Sequence, residues 1–453
     1  MAIDFTLTPE QKKLQQMGRE FSQDILKPIV DKADAEPDAQ KAFQMIKPAY
    51  IAAYKLGFAT GMIPQEYGGL GADGIALQIL CEEICAVDPG FACALLVNGL
   101  ALMPLVWFGS EAQKQKWLTE ATSDPTGEYI AGWVVSEGHK GTANFDHPGA
   151  QPVGIGVTAT YDKANGEYIL NGTKRWPANA GGWDLQGASV NTVIVRTDPT
   201  KGGKEGLSAL LVPRGTPGVQ YKVIDKIAHR LEQNCEIIFE NCRVPEDNLF
   251  ARGNGDLIVS KAFTWSGPVA GIAAVGVARS AYEYALERSK TYTGGGDKPI
   301  INHQAVGYML ADIAMKIEAS RYLCWKSAHY LDLYDNEGQA FGAMAKVYAT
   351  ESMFKTVYEC LQVVGINSLD RLNPLQKYLR EAALLPLYDA GNIGMQRRKI
   401  WGVMADPEFN PRALTDSEAV PFKKSMEGMG LESGYLPGET VSIPESAPVL
   451  VEA

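Results

Sequence analysis

Among the residues able to do chemistry, Asp389 has the most suggestive neighbours: it lies in the stretch Tyr378 to Arg398, YLREAALLPLYDAGNIGMQRR. Arg380 to Leu387 predicts a helix with an apolar face, Asp389-Ala390-Gly391-Asn392 caps and turns, and Met395 to Trp401 predicts a second helix. A carboxylate at such a break can be aimed into a cavity, with apolar Leu385, Leu387 and Ile393 expected to desolvate it in part. Burial raises a carboxylate's pKa and with it its strength as a proton acceptor. The residue types alone also admit, and by frequency favour, a simple capping role, since Asp is among the commonest N-caps.

Two other groupings carry less. Cys81 and Cys85 stand one helical turn apart in LQILCEEICAV, but no histidine or second cysteine pair lies close in sequence to complete a metal site, so a core face is expected for both. Seven cysteines at irregular spacing argue against a disulfide framework. The glycine-rich turn Pro64 to Gly71 lacks the Lys-Ser/Thr ending of a phosphate loop, and no G-x-G-x-x-G follows a strand, so neither that loop nor a Rossmann site is indicated.

The elements that must position Asp389 are sought in 453 residues, 46% hydrophobic and 21% charged, which is enough chain for two or three cores. A net charge of −11 without a basic face speaks against nucleic acid. No apolar run reaches the roughly 18 residues of a membrane span, and the N-terminus lacks a basic-then-apolar signal, so no membrane association and a cytoplasmic location are expected. Thr8 and Pro9 fit the N-cap and first position of a helix within 4–29, and amphipathic segments follow at about 38–56, 74–87, 91–108 and 111–122. From 129 to 250 the texture is alternating and β-rich, with turns expected at Asn165-Gly166, Asn171-Gly172 and Pro217-Gly218. Helical periodicity returns over 258–291, 303–332 and 337–364, and the last residues, from Asp406, are rich in Pro, Glu, Ser and Gly and predict an extended tail.

The Asp389 stretch resembles the end of the catalytic domain in the acyl-CoA dehydrogenase superfamily, where R-x-A-x-x-x-x-I-Y-E-G-T-x-x-I-Q-R carries the glutamate that removes a substrate α-proton. Arg380, Ala382, Tyr388-Asp389, Ile393 and Gln396-Arg397 fall on that pattern, with aspartate in place of glutamate. The aspartate, and the string W-P-x-N-x-G-G-W-D from Trp176 to Asp184, are most similar to the nitroalkane oxidase-like branch. The resemblance covers about residues 4–405 and implies an α+β fold. Its parts would be an N-terminal helical domain (1–128), a middle β-barrel or sandwich domain (129–250) and a C-terminal four-helix bundle (251–405), followed by the tail (406–453). It also implies FAD between the last two domains and a homo-oligomer, usually a tetramer.

Carried over by resemblance, Trp133, Val135 and Ser136 meet the flavin, with Ser136 at the pyrimidine edge and Thr142 on a phosphate. Trp176 lies along the ring; Ala178 stands where the family has a hydroxyl for flavin N5, leaving only a backbone donor there. Gln304, Gln362 and Gly365 match segments that touch adenosine and pyrophosphate, partly across a subunit boundary, and Asn392 joins the cofactor set. Ser266 is expected to bond Asp389. Gln396 stands where the nitroalkane oxidase-like branch has an arginine, so the base is expected to be less stabilised as an anion. The implied activity is that of an FAD-dependent oxidoreductase in which Asp389 takes an α-proton and electrons pass to flavin N5. The breadth of the family points first to α,β-dehydrogenation of an acyl-CoA thioester, with electron-transfer flavoprotein as acceptor. The alternative is oxidation of a small nitroalkane to aldehyde and nitrite with oxygen; the absence of an arginine in Phe263 to Pro268 counts against the first reading.

Overall fold

The computed structural model describes residues 5–138, 144–407 and 409–410. Its first part is helical. Thr8 and Gln11 bond each other's backbone amides in a reciprocal capping box that starts α1 (Pro9–Glu20), and a π-helical turn leads into α2 (Lys27–Ala33). The segment predicted over 38–56 divides at Ile46 into α3 (Ala39–Met45) and α4 (Lys47–Lys55), because Pro48 has no amide with which to continue the first helix. Asp73, Asp88 and Ser110 then cap α5 (Gly74–Cys85), α6 (Pro89–Phe108) and α7 (Glu111–Thr122).

Among the described residues eight strands form one sheet: β1 (Ala131–Val134), β2 (Thr158–Asp162), β3 (Glu167–Ala178), β4 (Val190–Arg196), β5 (Leu207–Pro213) after the single turn α8 (Gly203–Gly206), β6 (Val219–Val223), β7 (Asn234–Pro245) and β8 (Leu249–Phe250). Their order is β6-β7-β3-β1-β4-β5-β8, with β2 against β3 and β4. Asn165-Gly166 turns the chain between β2 and β3. Asn171-Gly172, expected as a second turn, instead lies inside β3, where the register slips between Leu170 and Gly172 and Gly172 takes φ 128°. Pairing along the whole length of β7 outweighs the local turn preference there.

The sheet gives way to α9 (Gly255–Thr291), α10 (Gln304–Tyr334) and α11 (Gln339–Val364), then the shorter α12 (Pro374–Leu384) and α13 (Arg397–Met404). This is the α+β arrangement of helical domain, sheet and helical bundle. A Cβ on Gly267 of α9 would stand 2.6 Å from the Gly342 carbonyl oxygen of α11, so glycine lets these two helices approach closely. A charge cluster centred on two buried carboxylates ties the bundle to the first domain: Glu82 and Glu83 of α5 pair with Arg19, Arg279 and Arg321.

The expectation that no apolar run is long enough to span a membrane needs correction. By length and composition, α6 and α9 are apolar enough to cross a membrane, but most of the apolar stretch of each is buried inside the protein, as in core helices. Beyond Asn410 the expected tail lies outside the described residues. Cys81 and Cys85 are buried with sulfurs 3.6 Å apart, and no metal-ligand cluster forms among the described residues.

Candidate active site

Three successive residues, Asp389, Ala390 and Gly391, take φ of 50°, 71° and 59°, turning the chain sharply out of α12. Side chains rarely tolerate that region, and such strain persists only where packing enforces it. Asp389 makes no capping bond to the π-helical turn Gly391–Gln396 that follows. Its Oδ1 instead accepts from Ser266 Oγ of α9 at 2.7 Å, while Oδ2 is covered and has no partner. Leu385 is buried as expected, but Leu387 and Ile393 are 74% and 86% exposed and cannot desolvate the carboxylate. Desolvation pushes the Asp389 pKa up, opposed first by the charge of Lys346, then by the Ser266 bond and Lys399.

Those two lysines have no counterpart among the residues singled out from sequence. Lys346 of α11 is fully buried, donates to Asn392 Oδ1 at 3.0 Å, and lies 5.7 Å from the centre of the Tyr388 ring. Lys399 of α13 donates to Ser260 O and Thr264 Oγ1 at 2.8 and 2.9 Å. Burial lowers them to about 8 and about 7 respectively, with Asp389 opposing the shift in both. Lys346 sits in FGAMAKVYAT, a lone charge among small apolar residues, which is a readable hint; Lys399 follows two arginines and gives none.

Gln396 is buried but does not reach the carboxylate. It donates to the backbone oxygens of Asp389 and Phe263 at 3.3 and 3.4 Å, so it braces the turn rather than the carboxylate. Asn392, expected at the cofactor, has its amide occupied by Lys346, Thr350 and Glu351.

On the sheet side, Trp133 and Ala178 are register partners across β1 and β3, and Ala178 pairs on to Asn234 of β7. Asn234 donates to the carbonyl of Trp176, which sits at φ 79° with its ring 51% exposed. Val135 O accepts from the buried Lys174 ammonium, itself paired with Glu137 at 3.1 Å, and Ser136 O accepts from Arg175 N. Thr142 lies outside the described residues. Trp183 is structural, stacked on Phe43 at 4.7 Å and bonded to Glu128 O. Gln304, Gln362 and Gly365 are exposed near the ends of α10 and α11, and contribute no hydrogen bond to the cluster around Asp389 and Trp133.

The two halves connect through Phe263: its ring packs against Trp133 at 6.3 Å, and its carbonyl accepts from the glutamine that also braces Asp389. A half-exposed indole, a buried Trp133 Nε1 without a partner and an unpaired carboxylate oxygen on linked elements suit a flat heteroaromatic ring held near a carboxylate.

Residues 8–124, 146–242 and 253–404 match, respectively, the N-terminal, middle and C-terminal domains of acyl-CoA dehydrogenase. Nitroalkane oxidase of Fusarium oxysporum is 31% identical over 435 residues, 91% of this chain and 97% of the relative. A solved structure of the flavoprotein nitroalkane oxidase superposes with a TM-score of 0.86 at 29% identity, covering 92% of this chain and 100% of that one. Butyryl-CoA dehydrogenase from Megasphaera elsdenii gives 0.77 at 27% identity, covering 89% and 100%. The chain therefore belongs to the acyl-CoA dehydrogenase family, as an FAD-dependent oxidoreductase on its nitroalkane oxidase-like branch.

Proposed function

We propose that this enzyme oxidises a small carbon acid of the nitroalkane type, with Asp389 as the base, Ser266 as its orienting donor and oxygen as the final acceptor. The observation that carries the reading is the 2.7 Å bond from Ser266 to an aspartate that is otherwise covered and unpaired. With Oδ1 held, Oδ2 is the atom left to receive a proton from the carbon beside the nitro group. A desolvated carboxylate accepts it more readily than one in water. Bound FAD supplies the two-electron sink. Trp133, Ser136, Trp176 and the Ala178 backbone are the groups that would hold its ring, and the turn at Asp389 sets the distance from base to substrate carbon.

A second reading, α,β-dehydrogenation of an acyl-CoA thioester with electron-transfer flavoprotein as acceptor, is supported by the match to all three acyl-CoA dehydrogenase domains. It demands the same base. Both readings include a homo-oligomer, in which Gln304, Gln362 and Gly365 would serve a neighbouring subunit's cofactor. They also include a reducing, cytoplasmic setting, with which seven unpaired cysteines agree.

Anaerobic flavin bleaching by a panel of primary nitroalkanes and CoA thioesters tests the proposal. Faster bleaching by nitroalkanes is expected, with Asp389→Asn retaining FAD and losing the response to both classes. Bleaching by thioesters alone would overturn the substrate, and unchanged rates in the variant would overturn the base.

A further inference from the structure

The charge environment of the base departs from what its neighbouring residues suggested. Gln396 leaves no cation on the Asp389 segment facing the carboxylate, yet a buried anion needs a compensating charge to stay ionised. Cations come from two other helices instead. Lys346 reaches in from α11 and Lys399 from α13, each anchored to neutral oxygen acceptors: Asn392 Oδ1 for the first, Ser260 O and Thr264 Oγ1 for the second. The remaining titratable groups near Asp389 do not supply charge. Cys93 of α6 and Tyr388 are pushed upward by burial and stay neutral. Arg397 is paired with Glu351 beside Lys346, and Arg398 with Asp146 beside Lys399.

We propose that Lys346 and Lys399 are positioning residues for the base: buried among the residues next to Asp389 and Ser266 and tethered to other groups, they hold it as a carboxylate and supply the charge that Gln396 lacks. Tethering to neutral acceptors keeps Oδ2 free. A lysine bonded directly to it would occupy the atom that must take the substrate proton. The inference rests on Asp389 being the base, but its central claim concerns the ionisation of one side chain and can be read without any substrate.

The experiment uses FAD-loaded Lys346→Met, Lys399→Met and Lys346→Arg proteins. The infrared difference spectrum between acid and neutral pH is recorded, with Asp389→Asn identifying the Asp389 carboxyl band. Each methionine variant should keep that band protonated to a pH about one unit higher than the parent protein, and Lys346→Arg should restore the parent value. In anaerobic flavin reduction by the most reactive nitroalkane or thioester, the acid limb should move up by the same amount, making reduction about tenfold slower below it. If Lys346→Met does not fold, Lys399→Met, in the first turn of the short α13, carries the test. Folded methionine variants whose carboxyl band and acid limb both match the parent protein would overturn the inference. A displaced band together with unchanged turnover in Asp389→Asn would leave it standing while removing the base assignment above.

Discussion

Ser266 and Asp389, 123 positions apart in the chain, meet through a 2.7 Å hydrogen bond from hydroxyl to carboxylate. Two features bring them together: the left-handed run that throws Asp389 out of its helix, and the close glycine-lined crossing of α9 with α11 beside Ser266. The bond orients the carboxylate and favours its ionised form at once, so losses in chemistry and losses in folding can be separated at this pair.

Ser266→Ala removes one donor to a charged acceptor, an interaction worth about 1.5–3 kcal/mol. Flavin reduction should slow roughly ten- to a hundredfold, while the melting temperature barely moves. Stopped-flow absorbance and calorimetry on the same preparation check both halves.

Because desolvation raises the Asp389 pKa, the acid limb of the reduction rate should lie above the usual aspartate value of about 3.9. Activity is lost as pH falls through that limb, when the base takes a proton from solvent. A rate that stays flat down to the ordinary carboxylate range would contradict it.

Lys174 and Glu137 form a buried pair that anchors the strand end at Val135. Lys174→Met leaves the carboxylate uncompensated and should cost about 3–5 kcal/mol in urea unfolding. Although burial raises the Glu137 pKa, Lys174 and the amides of Val157 and Gly156 outweigh it and hold the value low. A depressed folded value means the unfolded chain binds more protons in the window between the two. The pair's stabilisation is therefore complete above the unfolded glutamate value, about 4.3, and disappears as pH falls through the folded one. Urea midpoints from pH 7 down to pH 3 should show that decline in the parent protein and not in the variant.

Trp176 and Trp183 lie seven residues apart in one string but should fail differently. Trp183→Ala empties a stacked, hydrogen-bonded core position and should cost about 3–5 kcal/mol. Trp176→Ala removes a half-exposed ring and should change the apoprotein's stability by less than about 1 kcal/mol while weakening FAD binding. Chemical unfolding of the apoproteins and titration with FAD distinguish the two.

The sequence by itself determined the helix start at Thr8, the helical segments near 74–87 and 111–122, the change from helical to β texture, and the candidacy of Asp389 and Ser266. Caps, periodicity and motif spacing are written in residues close together along the chain. Tertiary structure decided what those signals could not: that Asn171-Gly172 is a bulge, that Leu387 and Ile393 face outward, that Gln396 braces backbone, and that Trp183 is core. It also decided that Lys346 is buried against Asn392 and that Lys399 bonds α9 close to Ser266. Each of these depends on which surfaces a helix or strand is pressed against, and that is set by partners scores to hundreds of residues away, where charge and burial combine through space rather than along the chain.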